Sequence, residues 1–253
     1  MKQPEPGPEA GNAAGLPADA LPALPLRETC RLVGGRVPLW PWHRARLASG
    51  GCGEELLRSA DTLVARESAG WNGPGSSRLR LTLVASPDGT LDATVQRRLS
   101  SLDVPGGPVA ARVDVGESVP PMLPASGAKP ADRSWWDEAQ RAARAAGGDQ
   151  AIIVGPDGLV IDGGTATVWI VDDGVVITPP APPAVAGVAR AFLLDSLADA
   201  GTPARVGRFT WERFEAADEA FLSNAFGGCV AVRGRGGEWT RAVAGLLAAV
   251  WAD

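Results

Sequence analysis

The sequence predicts an α+β protein of two lobes, a small N-terminal α/β lobe and a larger C-terminal one. Three observations carry that expectation. Runs of alternating apolar residues interleave with runs of helical spacing along the whole chain. No segment repeats another. A Pro/Ser/Gly-rich stretch, PPMLPASGA at 120–128, interrupts the pattern and marks the expected boundary between lobes. With 253 residues, either one large domain or two smaller ones can bury a proper core.

Residues 1–25 are rich in Pro, Gly, Ala and Glu and read as a disordered tail, too poor in apolar side chains to offset the cost of ordering. The small lobe is expected over 26–119. It opens with LRETCRLVGGRVPLW (26–40), two β-prone runs joined at Gly34-Gly35, which reads as a hairpin. Helical spacing follows from Pro41 to Gly70, broken at Gly50-Gly51, so two consecutive helices are expected. RLRLTLVASPDGTLDATVQR (78–97) alternates, turns at Pro87-Asp88-Gly89 and alternates again, a second hairpin. GPVAARVDVGESV (107–119) is a further strand candidate.

The C-terminal lobe is expected over 129–253. It reads as a helix at 134–146, the strand QAIIVG, a turn at Pro156-Asp157-Gly158, then the strands LVIDGG and TVWIVDDGVVITPP. GVARAFLLDSLADAG (187–201) is an amphipathic helix ending at a glycine, where helices prefer to stop. A short strand and helix over 205–220, a strand–loop–strand in AFLSNAFGGCVAV and a closing helix from Trp239 complete the chain.

Composition narrows the function. A net charge of −5 gives no reason to expect nucleic acid or an anionic membrane as a partner, and no apolar run approaches the ~20 residues of a membrane helix. The N-terminus lacks the apolar core of a secretion signal. Cys30, Cys52 and Cys229 are an odd number without metal-ligand spacing, which points to reduced thiols in a cytoplasm and no metal site. One histidine, His43, and no tyrosine remove many acid–base schemes. Lysine is equally scarce: beyond Lys2 in the tail there is only Lys129. Arginine serves most needs for a surface cation but cannot act as a base or a nucleophilic amine near neutral pH. Lys129 is therefore a candidate for covalent amine chemistry, against the plain alternative of a stray surface charge. Asp162, at a strand end before two glycines, could face a ring nitrogen, and the helix start at Gly187, Val188 and Ala189 could offer backbone N–H groups to a phosphate.

In order and spacing these residues resemble a known family. Asp162-Gly163-Gly164-Thr165-Ala166-Thr167-Val168-Trp169, then Val176-Ile177-Thr178-Pro179-Pro180, then Val185-Ala186-Gly187-Val188-Ala189-Arg190, is similar to the signature of class IV aminotransferases. Those are the fold-type IV pyridoxal-phosphate enzymes, among them branched-chain and D-amino-acid aminotransferases and 4-amino-4-deoxychorismate lyase. Arg27-Glu28-Thr29 resembles the family's Phe-Glu-Thr strand, and Trp42-His43-Arg44-Ala45-Arg46-Leu47 its His-Leu-x-Arg-Leu helix. Ala217-Asp218-Glu219-Ala220-Phe221-Leu222-Ser223-Asn224-Ala225 resembles Ala-Asp-Glu-Val-Phe-Leu-Thr-Asn-Ser, and the matches together run from about 26 to 232.

The resemblance implies a cofactor, pyridoxal 5′-phosphate, and a role for each matched residue. Lys129 would carry the cofactor and shuttle the proton at the substrate's α-carbon. Asp162 would face the ring nitrogen. Arg46 would grip the phosphate, with the backbone amides of Val188 and Ala189 after Gly187, and Asn224 and Ala225 would lie beside it. His43 matches the motif but reads as a hydrogen-bonded helix residue. The resemblance also implies a small-molecule amino substrate and a homodimer.

Departures from the family pattern are specific. Asp162 stands for the usual Glu, a reach shorter by ~1.5 Å. Thr167 replaces Asn, Trp169 replaces Phe or Tyr, Ala189 lacks a hydroxyl, Ala225 replaces Ser, and Leu21-Pro22-Ala23-Leu24 stands where Tyr/Phe-Gly-Asp-Gly is usual. Weaker cofactor retention is the expected consequence. The leading expectation for function is 4-amino-4-deoxychorismate lyase, supplying 4-aminobenzoate for folate synthesis, supported by the family's lyase-like Lys129…Arg133 context. An amino-acid aminotransferase of branched-chain or D-amino-acid type is the alternative, and a cofactor-poor, non-catalytic relative a further one.

Overall fold

A computed structural model of the chain describes residues 21–71, 78–116 and 126–252. The expected tail up to residue 20, and the expected linker up to residue 125, lie outside the described residues. Three sheets carry the fold. β1 (Leu26–Leu32), β2 (Leu79–Ala85) and β3 (Leu91–Arg97) form an antiparallel sheet in that order. Alternation decides its faces: Leu26, Glu28, Cys30 and Leu32 are buried while Arg27, Thr29 and Arg31 are half-buried. The buried face packs on α1 (Trp40–Ser49) and α2 (Glu54–Ala69), with Leu81, Leu83, Leu57 and Val64 at the centre of that core.

The hairpin expected over 26–40 does not form. β1 pairs along its whole length with β2, Leu26 facing Ala85 and Leu32 facing Leu79, while the Gly34-Gly35 turn closes only a single bridge between Val33 and Arg36. Pro38 has no N–H to extend a ladder there, and the chain goes into α1 instead. The hairpin expected over 78–97 is present as β2–β3, and the two helices expected on either side of Gly50-Gly51 are α1 and α2.

β4 (Ala110–Asp114) runs parallel to β5 (Gln150–Val154), which pairs antiparallel with β6 (Val160–Gly163). The amphipathic helix α3 (Ser134–Ala145) covers this sheet through Trp136, Ala139 and Ala143. β4 thus joins a sheet whose other strands lie beyond residues 120–128. The third sheet has the order β11-β10-β7-β8-β9, from β7 (Thr167–Asp172), β8 (Val175–Thr178), β9 (Ala204–Val206), β10 (Glu219–Asn224) and β11 (Gly228–Ala231). α4 (Val188–Asp199) and α6 (Glu238–Ala252) pack on it around Trp169, Phe221 and Leu247, and α5 (Trp211–Ala216) buries Phe214 among β7 and β10 residues. β7 and β10 are apolar on both faces because each is covered twice.

Candidate functional site

A cleft of about 380 Å³ is walled by the half-buried face of β1 and β2, the start of α3, the end of β6, the start of α4 and the end of β10. That is the size range of small-molecule sites. Lys129, Arg46, Asp162, Gly187, Val188, Ala189, Asn224 and Ala225 all line it.

Lys129 is held by backbone rather than by its own element. Its carbonyl accepts from the Arg27 N–H at 2.9 Å, Pro130 bridges to Leu26, and the Ala131 N–H donates to the Pro25 carbonyl at 2.7 Å. The side chain crosses the β1 face and donates from Nζ to Thr29 Oγ1 at 3.2 Å. Burial, then the nearby charges of Arg133 and Arg46, push its amine well below the ordinary lysine value, with only Glu28 acting in the other direction. An amine in that environment gives up its proton more readily than an ordinary lysine, as a nucleophile or base must.

Asp162 ends β6 with its carboxylate buried. Oδ1 accepts from the Gly163 N–H at 2.9 Å, and Oδ2 from the Val185 N–H at 3.1 Å and Trp136 Nε1 at 3.4 Å. Burial nevertheless dominates and raises its pKa from 3.8 to about 6, against the pull of those donors and of Arg133. The glycine after it is dictated by space: a Cβ on Gly163 would sit 2.2 Å from the Ala166 carbonyl oxygen.

Arg46 comes from α1, whose inward residues are His43, Arg46 and Leu47. Its Nε and Nη2 donate to Glu28 Oε1 and Oε2 at 2.9 and 2.5 Å, and Nη1 donates to the Ala186 carbonyl at 2.9 Å, one residue before the N-cap of α4. His43 Nδ1 lies 2.5 Å from Glu28 Oε2. Burial lowers the His43 pKa more than Glu28 raises it, so the ring is neutral and donates from Nδ1. For Glu28 itself burial raises the pKa, but the charges and hydrogen bonds of Arg46 and His43 outweigh it and hold the carboxyl at about 2. His43 is thus a hydrogen-bonded helix residue, as its place in the helix suggests.

Arg46 and the start of α4 are neighbours in space. No side chain among the described residues caps α4, so a helix start with free first-turn N–H groups borders the cleft at Val188 and Ala189. Gly187 is required by close approach, since a Cβ there would lie 2.5 Å from Thr167 Oγ1. Asn224 behaves differently from the expectation of a phosphate neighbour. Its amide donates to the Thr165 carbonyl at 3.1 Å and accepts from the Phe226 and Gly227 N–H groups at 3.1 and 2.5 Å, which ties down the β10–β11 turn.

Sequence reasoning did not single out Thr29, Arg27, Arg80, Arg98 or Trp136 as cleft residues, though all line it. The parity of β1 and β2 was the available signal, because Arg27, Thr29 and Arg80 share the face opposite the apolar one. The residues present fit a phosphorylated aromatic aldehyde: a lone depressed-pKa amine, a buried carboxylate lacking a full counter-charge, and an uncapped helix start beside a fixed arginine.

Comparison with known proteins agrees with this chemistry. The 4-amino-4-deoxychorismate lyase from Pseudomonas aeruginosa superposes with a TM-score of 0.69, at 21% identity, covering 93% of this chain and 95% of that one. A hypothetical aminotransferase from Mycobacterium tuberculosis in its PLP-bound form gives 0.74 at 18% identity, covering 100% and 95%. The branched-chain-amino-acid aminotransferase of Pseudomonas aeruginosa is 32% identical over 77 residues, 30% of this chain, and the match spans only a quarter (25%) of that relative's length. The profile of the family described as amino-transferase class IV matches residues 26–234. The chain belongs to the class IV amino-transferases, a family of pyridoxal-phosphate-dependent enzymes.

Proposed function

We propose that this chain is a 4-amino-4-deoxychorismate lyase that releases 4-aminobenzoate and pyruvate, using pyridoxal phosphate held in the cleft. The observation that carries the cofactor reading is that the Lys129 amine and the Asp162 carboxylate open into one cleft that also receives Arg46 and the start of α4. Arg46, oriented by its two-pronged contact with Glu28, and the first-turn N–H groups of α4 would hold the phosphate. Asp162 would hold the proton on the ring nitrogen; its raised pKa marks a buried charge that a cation would relieve. When bound, the cofactor supplies an electron sink for charge developing at the substrate's α-carbon. Lys129, whose amine holds its proton less tightly than an ordinary lysine and is aimed by Thr29, would take the proton from that carbon and later return one to the product side.

Lysine and carboxylate serve a lyase and a transaminase equally. The lyase reading is supported by Arg133, four residues after Lys129, whose Nη2 donates to the Gly164 carbonyl at 2.7 Å while its guanidinium lies over the Trp136 ring in the cleft wall. The similarity to the Pseudomonas aeruginosa lyase adds to it. An aminotransferase is the second reading, favoured by the local match to the branched-chain enzyme. Incubating pure protein with aminodeoxychorismate and no keto acid decides between them. Aminobenzoate and pyruvate are expected; strict dependence on an added keto acid overturns the lyase. We also infer a homodimer, since Leu99 beside the cleft is 87% exposed and apolar. A monomeric mass by light scattering would refute it.

A further inference from the structure

We propose that the hydroxyls of Thr167 and Ser223 are two further ligands of the cofactor's phosphate, donated side by side from neighbouring strands. The inference rests on the reading of the cleft as a pyridoxal-phosphate site and adds to it two residues to which the family resemblance gives no role.

Strand register brings the pair together. Thr167 opens β7 and faces Ser223 in β10, so both side chains share one face of the sheet, with Cβ atoms ~5 Å apart. Two residues away on each strand, Trp169 and Phe221 stack on that same face, ring centroids 5.6 Å apart, in the core under α4. At the cleft end of the face the start of α4 comes down onto Thr167: a Cβ on Gly187 would lie 2.5 Å from Thr167 Oγ1. The two hydroxyls therefore border the helix start whose N–H groups are free.

Both hydroxyls lack an acceptor. Thr167 is 7% exposed and Ser223 0%, yet both line the cleft. Among the described residues Thr167 Oγ1 makes no hydrogen bond, and Ser223 Oγ makes one, accepting from Trp169 Nε1 at 2.8 Å. That bond takes up a lone pair of Ser223 and leaves its O–H free to donate elsewhere. Thr29, Ser101 and Thr165 line the same cleft but bond to neighbouring side chains: Thr29 to Lys129, Ser101 to Thr165, and Thr165 to Gln150.

The chemistry of this corner selects its ligand. The first-turn N–H groups of α4 and the Arg46 guanidinium can only donate, and each of the two hydroxyls has a hydrogen to donate. Ala189 and Ala225 beside them bring only methyl groups. A corner built of donors suits a group that only accepts, and a phosphate dianion is such a group. An alkyl chain or a ring face seated there would leave two buried O–H groups unpaired, at a cost to binding.

The test compares two aldehydes. Cofactor-free protein is titrated in phosphate-free buffer with pyridoxal phosphate and with pyridoxal, which differs only in lacking the phosphate, and binding is read from the visible absorbance of the bound aldehyde. Thr167→Val and Ser223→Ala are near-isosteric, and calorimetric melting checks that each variant folds. Each is expected to weaken pyridoxal phosphate about tenfold and to leave pyridoxal within about twofold. Thr167→Ser keeps the hydroxyl and should keep the affinity. Unchanged affinity for pyridoxal phosphate in either variant strikes that residue. Equal weakening of both aldehydes overturns the inference, because the hydroxyls then serve the ring or the fold. A parent that takes up neither aldehyde overturns the functional reading and this inference with it, whereas a parent that binds pyridoxal phosphate no better than its variants overturns this inference alone.

Discussion

Two carboxylates, Asp162 in the cleft wall and Glu28 behind it on the core face of β1, are buried alike, with 6% and 1% of their surface exposed, and titrate at opposite extremes. Glu28 is held at about 2, Asp162 raised to about 6. Burial raises both; the difference is in what the chain places around them. Glu28 receives a two-pronged arginine and a histidine from α1, whereas Asp162 receives two backbone N–H groups, a distant indole N–H and an incomplete influence from Arg133. Around Glu28 the fold supplies its own counter-charge. At Asp162 it leaves room for one from outside, as a site for a protonated ring requires.

The largest effect should come from the amine that shares the open side of this contrast. Lys129→Ala is expected to lower turnover by at least about a thousandfold, because nucleophile and base are lost together. The cofactor-free protein should melt no lower than the parent, since what is removed is an amine whose charged form burial and Arg133 already disfavour. Calorimetric melting beside a single-turnover assay checks both. A melting point that drops by many degrees would place Lys129 with Glu28, as part of the framework.

Glu28→Gln should do the reverse, costing stability first. Removing one member of a buried pair leaves Arg46 charged and uncompensated, about 3–5 kcal/mol. Its folded pKa is depressed, so its contribution is complete above the ordinary value of 4.5 and is lost as pH falls through about 2. Urea unfolding at pH 7 and at pH 3 measures this: the gap between parent and variant should narrow at the lower pH.

The closed half of the contrast was the more legible in sequence, in retrospect. A glutamate falling on the buried parity of LRETCRL must find a cation, and RARL one helix later provides it. Lys129, Asp162 and the start of α4, which the structure brings to one cleft, could be singled out because rarity, glycine context and a helix start each leave a local mark. The arginines of the cleft wall were not found. Arg80 and Arg98 are unremarkable in an arginine-rich chain until the registers of β1, β2 and β3 are known, and the β1–β2 pairing, across about 50 residues, has no local signal. The same gap explains the hairpin expected over 26–40, where a glycine pair suggested a local partner and the distant β2 won with seven paired residues. Asn224 shows the remaining limit: the match to a family motif pointed to a residue that lines the cleft but could not tell that its amide serves the turn.

Asp162→Asn sharpens the comparison at the next level down. The folded pKa of Asp162 is raised from 3.8, so the cofactor-free fold is favoured below that value and loses about 3 kcal/mol as pH rises through 6. Asparagine cannot ionise and should flatten that part of the stability profile. The same variant should bind pyridoxal phosphate more weakly, because a neutral amide cannot hold the ring proton. Denaturant melts from pH 4 to 7, with and without cofactor, separate the two effects. A profile as steep in the variant as in the parent would mean that another group sets it.

The smallest change tests whether a neutral partner matters beside charged ones. Thr29→Val keeps the β-branched shape that suits β1 and removes only the oxygen that accepts from Lys129 Nζ at 3.2 Å. About 1 kcal/mol is at stake, the usual net worth of a hydrogen bond, so turnover should fall by up to about tenfold with little change in melting temperature. The hydroxyl favours the protonated amine, and its loss should move the acid limb of the rate profile to lower pH, because the base must be unprotonated to act. A rate reduced equally at every pH would mean that Thr29 only packs against the amine, and that the low lysine pKa is set wholly by burial and the surrounding arginines.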